Sequence, residues 1–313
     1  MNKRLKEKKG VKFSVGVLKD GKVEKYLFGE NGQEPFQKYY YEIGSITKTF
    51  TGLLVAKAIE ENKIKLEDSI SAYIPELEND KYYPTIKRLV THTSGCNIEA
   101  FEDSDDSVLL IDNPFLHVNR NKLLEDILSL QLENKDYPFK YSNFGSAVIG
   151  YVLENVYQTS FNNLITNLLN ELGLKETYGI NPPYNLSGIG PNGEQGGNWV
   201  WSEECAFNSA GYLVSTLDDM LKYAQIQIEG VPNYVKNSHV SNALITEEGV
   251  RQEIGLFWLV FPTLNLIFHN GGTGCFNAGL CINPKDKIAA VALSNCYTSL
   301  ADRVIKWVRD LAK

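Results

Sequence analysis

The apolar positions of the chain follow different rhythms in different stretches. Near the start, residues 13–18 and 23–28 carry strand-like runs on either side of Lys19-Asp20-Gly21-Lys22. An Asp-Gly pair between such runs predicts a tight β-hairpin. From residue 45 to 61 the pattern turns helical, with Phe50, Leu53, Leu54, Ala58 and Ile59 at the spacing of one buried face. Residues 64–77 read as turn and short helix broken at Pro75, and 86–90 as another helical turn ending in Thr91-His92-Thr93-Ser94-Gly95. Helical patterns resume at 121–131, 146–157 and 161–172. Residues 181–197, rich in Gly, Pro and Asn, predict a loop. Thr216 or Ser215 caps a further helix.

The last third changes rhythm again. Residues 255–261, 264–269, 277–282 and 287–294 are short apolar or alternating runs, with Asn283-Pro284-Lys285-Asp286 as a turn between the last two. Residues 300–312 close the chain as an amphipathic helix carrying Val304, Ile305, Val308 and Leu311 on one face. Strands, then helices, then strands imply an α+β fold: one antiparallel sheet completed by both chain ends, flanked by helices, with a mostly helical insertion. A single domain over residues 1–313 is expected. Its sheet part would take about 1–60 plus 216–313, and its helical part about 61–215.

Composition narrows the function classes. A hydrophobic content of 43% with 22% charged residues is that of an ordinary globular protein with a sizeable core. The net charge of −7 and the lack of a basic stripe argue against nucleic acid or an anionic membrane as partner. No stretch approaches the ~20 apolar residues of a membrane span. The basic start is followed by no apolar segment of the signal-peptide kind, so a cytoplasmic location is expected. The acidic run Glu102-Asp103-Ser104-Asp105-Asp106 reads as a solvated loop. Five cysteines, an odd number without C-x-x-C, indicate buried thiols and no disulfide framework. The four histidines form no H-E-x-x-H or similar cluster, so neither a metal nor another cofactor is expected.

The chemistry concentrates at Gly44-Ser45-Ile46-Thr47-Lys48. Serine is a weak nucleophile until a base takes its proton. A lysine three residues later on a helix lies on the same face, one turn away. Ser45 at a helix N-terminus would meet free N–H groups that favour a developing negative charge. The same residues also suit a plain reading, with Ser45 as N-cap and Lys48 as a solvated first-turn lysine.

Three further segments stand beside this one: Tyr141-Ser142-Asn143, His269-Asn270-Gly271-Gly272 and Thr91-His92-Thr93-Ser94-Gly95. In this order the motifs resemble the serine β-lactamase and penicillin-binding-protein superfamily, S-x-x-K being its nucleophile motif. The branch most similar is that of class C β-lactamases, D,D-carboxypeptidases, D-aminopeptidases and related esterases. Leu66-Glu67-Asp68, Tyr73-Ile74-Pro75-Glu76 and Gly211-Tyr212-Leu213-Val214-Ser215-Thr216 also look like landmarks of that family. The resemblance covers essentially the whole chain and implies a β-lactamase/transpeptidase-like fold.

It also implies roles. Ser45 is the implied nucleophile. Lys48 is the implied proton acceptor, or the cation that lowers the pKa of Tyr141. Tyr141 is implied as base in acylation and as proton donor to the leaving group. Asn143 would bind the substrate's amide or ester side chain. The N–H groups of Ser45 and Gly272 would form an oxyanion hole, with Gly271 allowing close approach. His269 would line the strand beside the substrate, and His92 is given no chemical role.

Class C β-lactamases carry lysine where His269 stands. A histidine is largely neutral at pH 7, so it offers a β-lactam carboxylate no permanent cation. The expected activity is therefore a serine hydrolase, an esterase or D-peptide hydrolase in preference to a β-lactamase, acting on a small-molecule or short-peptide substrate. The alternatives are a penicillin-binding or sensing module with slow or no turnover, and an acyl transferase to an amine. The loops near 102–107 and 181–197 are expected to shape the pocket.

Overall fold

The computed structural model describes residues 9–78, 80–96, 112–190, 192–298 and 300–313. The acidic run at Glu102 to Asp106 lies outside the described residues. The hairpin forms where the pattern places it, as β1 (Phe13–Lys19) and β2 (Lys22–Gly29). Asp20 and Gly21 both take positive φ, the conformation that matches a two-residue turn to strand twist. A short β3 (Gly32–Glu34) follows, then β4 (Tyr41–Glu42). A 3-10 turn over Gly44–Ile46 leads into α1 (Thr47–Glu60).

Helices fill the middle of the chain: α2 (Ile86–Val90), α3 (Arg120–Ser129), α4 (Asn143–Tyr157), α5 (Phe161–Leu172) and the single turn α6 (Asn208–Gly211). Then come β5 (Val214–Ser215), α7 (Leu217–Glu229) and α8 (Asn233–Ser238). Thr216 caps α7 by accepting from the Asp219 N–H, as its sequence position suggests. The strands β6 (Ala243–Thr246), β7 (Gln252–Ile254), β8 (Leu259–Phe261), β9 (Leu266–Gly272), β10 (Asn277–Asn283) and β11 (Ile288–Ser294) precede α9 (Ala301–Leu311).

Nine of these strands form one antiparallel sheet in the order β3-β2-β1-β11-β10-β9-β8-β7-β6. The last long strand thus pairs with the first, Phe13 opposite Ser294, and both chain ends complete the sheet. All seven residues of β11 are buried, because α7 covers one face of the sheet and α9 the other. Two covered faces explain why that strand reads as a continuous apolar run and not as an alternation. Val304 and Val308 of α9 are fully buried, and Ile305 and Leu311 partly so.

One strand differs from its sequence pattern. The apolar run 255–261 predicts a single strand, yet β7 ends at Ile254 and β8 begins at Leu259. Between them the chain turns, with the Gly255 N–H donating to the Trp258 carbonyl at 2.8 Å and Phe257 at φ +64. Leu256 and Phe257 donate to Ser238 and Val90, outside the sheet. This turn is buried, so its apolar residues mimic a strand.

Helix α1 runs through the middle of the helical layer, with eleven of its residues buried. Its threonines find partners inside: Thr49 Oγ1 bonds the Ile46 carbonyl at 2.8 Å, and Thr51 Oγ1 the Ser209 carbonyl at 2.8 Å. The N-terminal end of α1 is set against the end of β9, at the seam between sheet and helices. No helix among the described residues is long and apolar enough to cross a membrane.

Candidate active site

Backbone packing fixes Ser45 first. Gly44 takes φ +49, and a Cβ there would lie 2.6 Å from both the N and O of Gly272. A Cβ on Gly271 would lie 1.9 Å from the Ile43 carbonyl oxygen. Two glycines therefore let the Ser45 turn and the end of β9 meet backbone to backbone. Gly272 pairs with Asn277, and the next N–H, of Thr273, donates to the Phe276 carbonyl at 3.1 Å. Alternation along the antiparallel ladder turns the Gly272 N–H away from β10, toward the Ser45 side.

Ser45 is not an N-cap. Ile43 and Ile46 occupy the cap positions of the 3-10 turn and of α1, and neither end has a side-chain cap bond. The Ser45 hydroxyl is left for Lys48, whose Nζ stands 3.1 Å from Oγ. Lys48 is fully buried, contrary to the solvated alternative. Its other partners are Asn143 Oδ1 and the Ala210 carbonyl, both at 2.7 Å. None of these is a carboxylate, and desolvation holds the Lys48 pKa well below the ordinary lysine value.

The three contacts suit either charge state: an ammonium donates to all three, and a neutral amine keeps its lone pair for one of them. Such an amine has two N–H donors and one lone pair. Two partners are carbonyl-type acceptors, and the third is a hydroxyl that can donate. In the neutral form, N–H groups directed at Asn143 and Ala210 would leave the lone pair for the Ser45 hydroxyl.

Tyr141 and Asn143 reach the same point from α4. Ser142 is the N-cap of α4, its Oγ accepting from the Gly145 N–H at 2.9 Å, so Asn143 opens the first turn. The Tyr141 ring centroid lies 4.9 Å from Lys48 Nζ. The ring is 41% exposed, at the surface of the cleft. Desolvation of its hydroxyl raises its pKa well above the ordinary tyrosine value, and the neighbouring Ser45 side chain opposes that rise. Tyr141 therefore keeps its proton at neutral pH.

His92, without a chemical role in the sequence reading, supports Tyr141. Its ring lies 4.6 Å from the Tyr141 ring and 5.3 Å from that of Phe257. Its Nδ1 accepts from the Ser142 N–H at 3.2 Å, and its carbonyl accepts from the Lys140 N–H at 2.9 Å. The T-H-T-S-G turn thus holds the Tyr141 segment from both sides. Burial, then the neighbouring Lys48 and His269, keep the His92 pKa well below its ordinary value.

His269 belongs to the same cluster, its ring centroid 6.5 Å from that of Tyr141. It is buried, and its Nδ1 bonds the Asn270 carbonyl at 2.6 Å. Desolvation, with Lys48 second, lowers its pKa to about 4. His269 is uncharged at neutral pH.

The structure thus gathers Ser45, Lys48, Tyr141, Asn143, His269, Gly271 and Gly272 in one place. A match to the Beta-lactamase family runs over residues 3–313. The chain belongs to the beta-lactamase family. Among relatives of this beta-lactamase-family chain, Protein flp of Staphylococcus aureus (strain NCTC 8325 / PS 47) is 26% identical over 313 residues. That alignment covers 94% of this chain and 61% of the relative, so the chain spans about three fifths of the relative's length. A beta-lactamase of Pseudomonas fluorescens is 25% identical over 339 residues, covering 93% of this chain and 90% of the relative.

Solved structures agree on the fold. The beta-lactamase/D-alanine carboxypeptidase from Pseudomonas syringae superposes with TM-score 0.80 at 19% identity, over 98% of this chain and 95% of that one. The octameric penicillin-binding protein homologue from Pyrococcus abyssi gives TM-score 0.78 at 22% identity, over 94% and 71%. The α+β, β-lactamase/transpeptidase-like architecture expected from the sequence is the one found.

Two contributors escaped the sequence reading. The Ala210 carbonyl, a main-chain acceptor for Lys48, carries no sequence signal. Glu42 does carry one, as an acid inside the apolar run Tyr40-Tyr41-Glu42-Ile43 three residues before Ser45. It is 2% exposed.

Proposed function

We propose that the protein is a serine hydrolase that opens an ester or amide bond through an acyl-enzyme on Ser45. The observation that carries this reading is the fully buried Lys48 amine, 3.1 Å from Ser45 Oγ and paired with no carboxylate among the described residues. In the first step the Ser45 proton moves to the Lys48 lone pair, and Oγ attacks the substrate carbonyl carbon. The resulting oxyanion accepts from the Ser45 and Gly272 N–H groups. Collapse breaks the bond to the leaving group, which takes the Tyr141 hydroxyl proton. Lys48 returns its proton to Tyr141. Water then adds to the acyl carbonyl as its proton passes to the Lys48–Tyr141 pair; collapse breaks the acyl–Oγ bond, and Ser45 Oγ takes that proton back as the acid product leaves.

The charge state of the site supports Lys48 as the acylation base. Burial lowers the amine's pKa and raises the phenol's, which favours a proton-accepting Lys48 beside a proton-donating Tyr141. Neutral His269 offers no cation to a carboxylate beside the scissile bond, which favours an ester, or a D-peptide cleaved away from its C-terminus, over a β-lactam. The test is steady-state hydrolysis of p-nitrophenyl acetate and of a D-alanyl-D-alanine peptide by wild type and Ser45→Ala. Turnover by the wild type alone supports the proposal. Equal turnover by the variant rejects it, and a single-turnover burst without steady state favours a penicillin-binding or sensing module.

A further inference from the structure

Glu42 ends β4, paired across from Val214 on β5, and carries the one carboxylate that the network around Ser45 leaves unexplained. Its Oε1 accepts from the Trp199 N–H at 2.8 Å and from the Tyr184 hydroxyl at 3.2 Å. Its Oε2 is buried with no hydrogen-bond partner, while the Thr273 and Asn198 side chains lie close enough to favour the ionised form. Thr273 directly follows Gly272, the proposed oxyanion donor. Tyr184, Asn198 and Trp199 belong to the irregular stretch between α5 and α6.

That stretch is seated on the turn after β9. A Cβ on Gly196 would lie 2.2 Å from Cys275 Sγ, and one on Gly188 would lie 2.4 Å from Cys275 Cβ. Asn198 Nδ2 donates to the Leu186 carbonyl at 3.2 Å, and the Ile189 N–H to the Asn295 carbonyl at 2.7 Å. Three separately folded segments therefore converge on one carboxylate: the lead-in to Ser45, the end of the oxyanion strand, and the loop that ends at Trp199.

We infer that Glu42 is a positioning residue whose carboxylate clamps the loop 184–199 and the end of β9 to the Ser45 turn, fixing the separation of the Ser45 and Gly272 N–H groups. The inference rests on Ser45 being the nucleophile. The chemistry of the surroundings favours the ionised carboxylate, because every contact offers it a donor. Protonation removes acceptor capacity from this clamp. The titratable groups facing Glu42 are Tyr184 from the loop and Cys275 from the turn after β9. Burial raises both, the thiol to about 11, so neither changes charge near neutrality. Glu42 itself is pushed up to about 7 by desolvation, against the pull of its donors.

The experiment measures kcat and KM for p-nitrophenyl acetate from pH 5 to 9 for full-length wild type, Glu42→Gln, Glu42→Asp and Thr273→Val, with fluorophosphonate labelling of each. Glu42→Gln is expected to lose kcat on the order of 10²-fold, as misplacement of a transition-state donor does, with KM little changed. The acid-side inflection near pH 7 should vanish in that variant. Thr273→Val keeps the carboxylate but removes a neighbouring hydroxyl that favours its charge, so the inflection should move to higher pH. Glu42→Asp should recover part of the lost kcat.

A Glu42→Gln enzyme with wild-type kcat and inflection, in a protein whose wild type labels at Ser45, would overturn this inference alone. A wild type without a Ser45-dependent label would overturn the Ser45 reading and this inference with it. Should Glu42→Gln not fold, Thr273→Val decides: an unmoved inflection overturns the inference.

Discussion

Lys48 Nζ lies 3.1 Å from Ser45 Oγ, and among the described residues the lysine has no carboxylate partner. A buried ammonium without a counter-ion is costly, so burial weakens the amine's hold on its proton. That has a consequence for stability. The folded-state pKa lies below the unfolded value of about 10.4. Below that value the unfolded chain binds a proton that the folded chain lacks, so this group destabilises the fold progressively as pH falls. The stability of wild type relative to Lys48→Met should therefore fall as pH drops from about 10. Thermal unfolding of both proteins across pH 6 to 10 reads this directly. A constant difference would mean that Lys48 is an ordinary charged lysine. The same substitution should cost about 10³-fold in kcat/KM, the middle of the usual range for a lost general base.

Tyr141 matters most when the leaving group is poor. An amine leaving group must be protonated, whereas p-nitrophenolate leaves unassisted. Tyr141→Phe should lower hydrolysis of a peptide about 10³-fold and that of p-nitrophenyl acetate far less. Equal losses for both substrates would remove Tyr141 from the donor role.

The backbone contact at Gly271 leaves no room for a side chain. Gly271→Ala places a Cβ 1.9 Å from the Ile43 carbonyl oxygen, which forces β9 away from the Ser45 turn. A loss of about 3 kcal/mol in stability is expected, typical of severe overpacking, together with loss of activity. Gly272→Ala, whose Cβ meets Asn277 Nδ2 at 3.2 Å, should be far milder. Urea unfolding of the two variants checks the ranking.

Glu42 should show opposite pH trends in stability and activity. Its folded-state pKa of about 7 exceeds the ordinary 4.5, so the folded chain binds the extra proton between those values. Stability from this group is fully present below pH 4.5 and is lost as pH rises through 7. Relative to Glu42→Gln, the wild type should gain Tm as pH falls from 7 to 5 while its kcat declines. Parallel trends would show that ionisation of Glu42 is not what the activity follows.

Much of this architecture was legible because local patterns and tertiary packing agree. The Asp20-Gly21 hairpin, the Thr216 cap and the amphipathic face of α9 each carry their own physical signal. The residues 255–261 misled because a buried turn is as apolar as a strand. The candidate site was legible through side chains in recognisable order, Ser45 with Lys48 and Tyr141 with Asn143. It was not legible where main chain does the work, at the Ala210 carbonyl. The lowered pKa of Lys48 and the convergence on Glu42 depend on burial by segments distant in sequence.

The central claim is a nucleophilic Ser45. It is tested most directly by intact-protein mass after incubation with a fluorophosphonate, an activated short-chain ester and a penicillin, on wild type and Ser45→Ala. A mass increase of one acyl or phosphonyl group in the wild type, absent from the variant, is the predicted result. The same adduct on Ser45→Ala, or none on either protein with any probe, would contradict it.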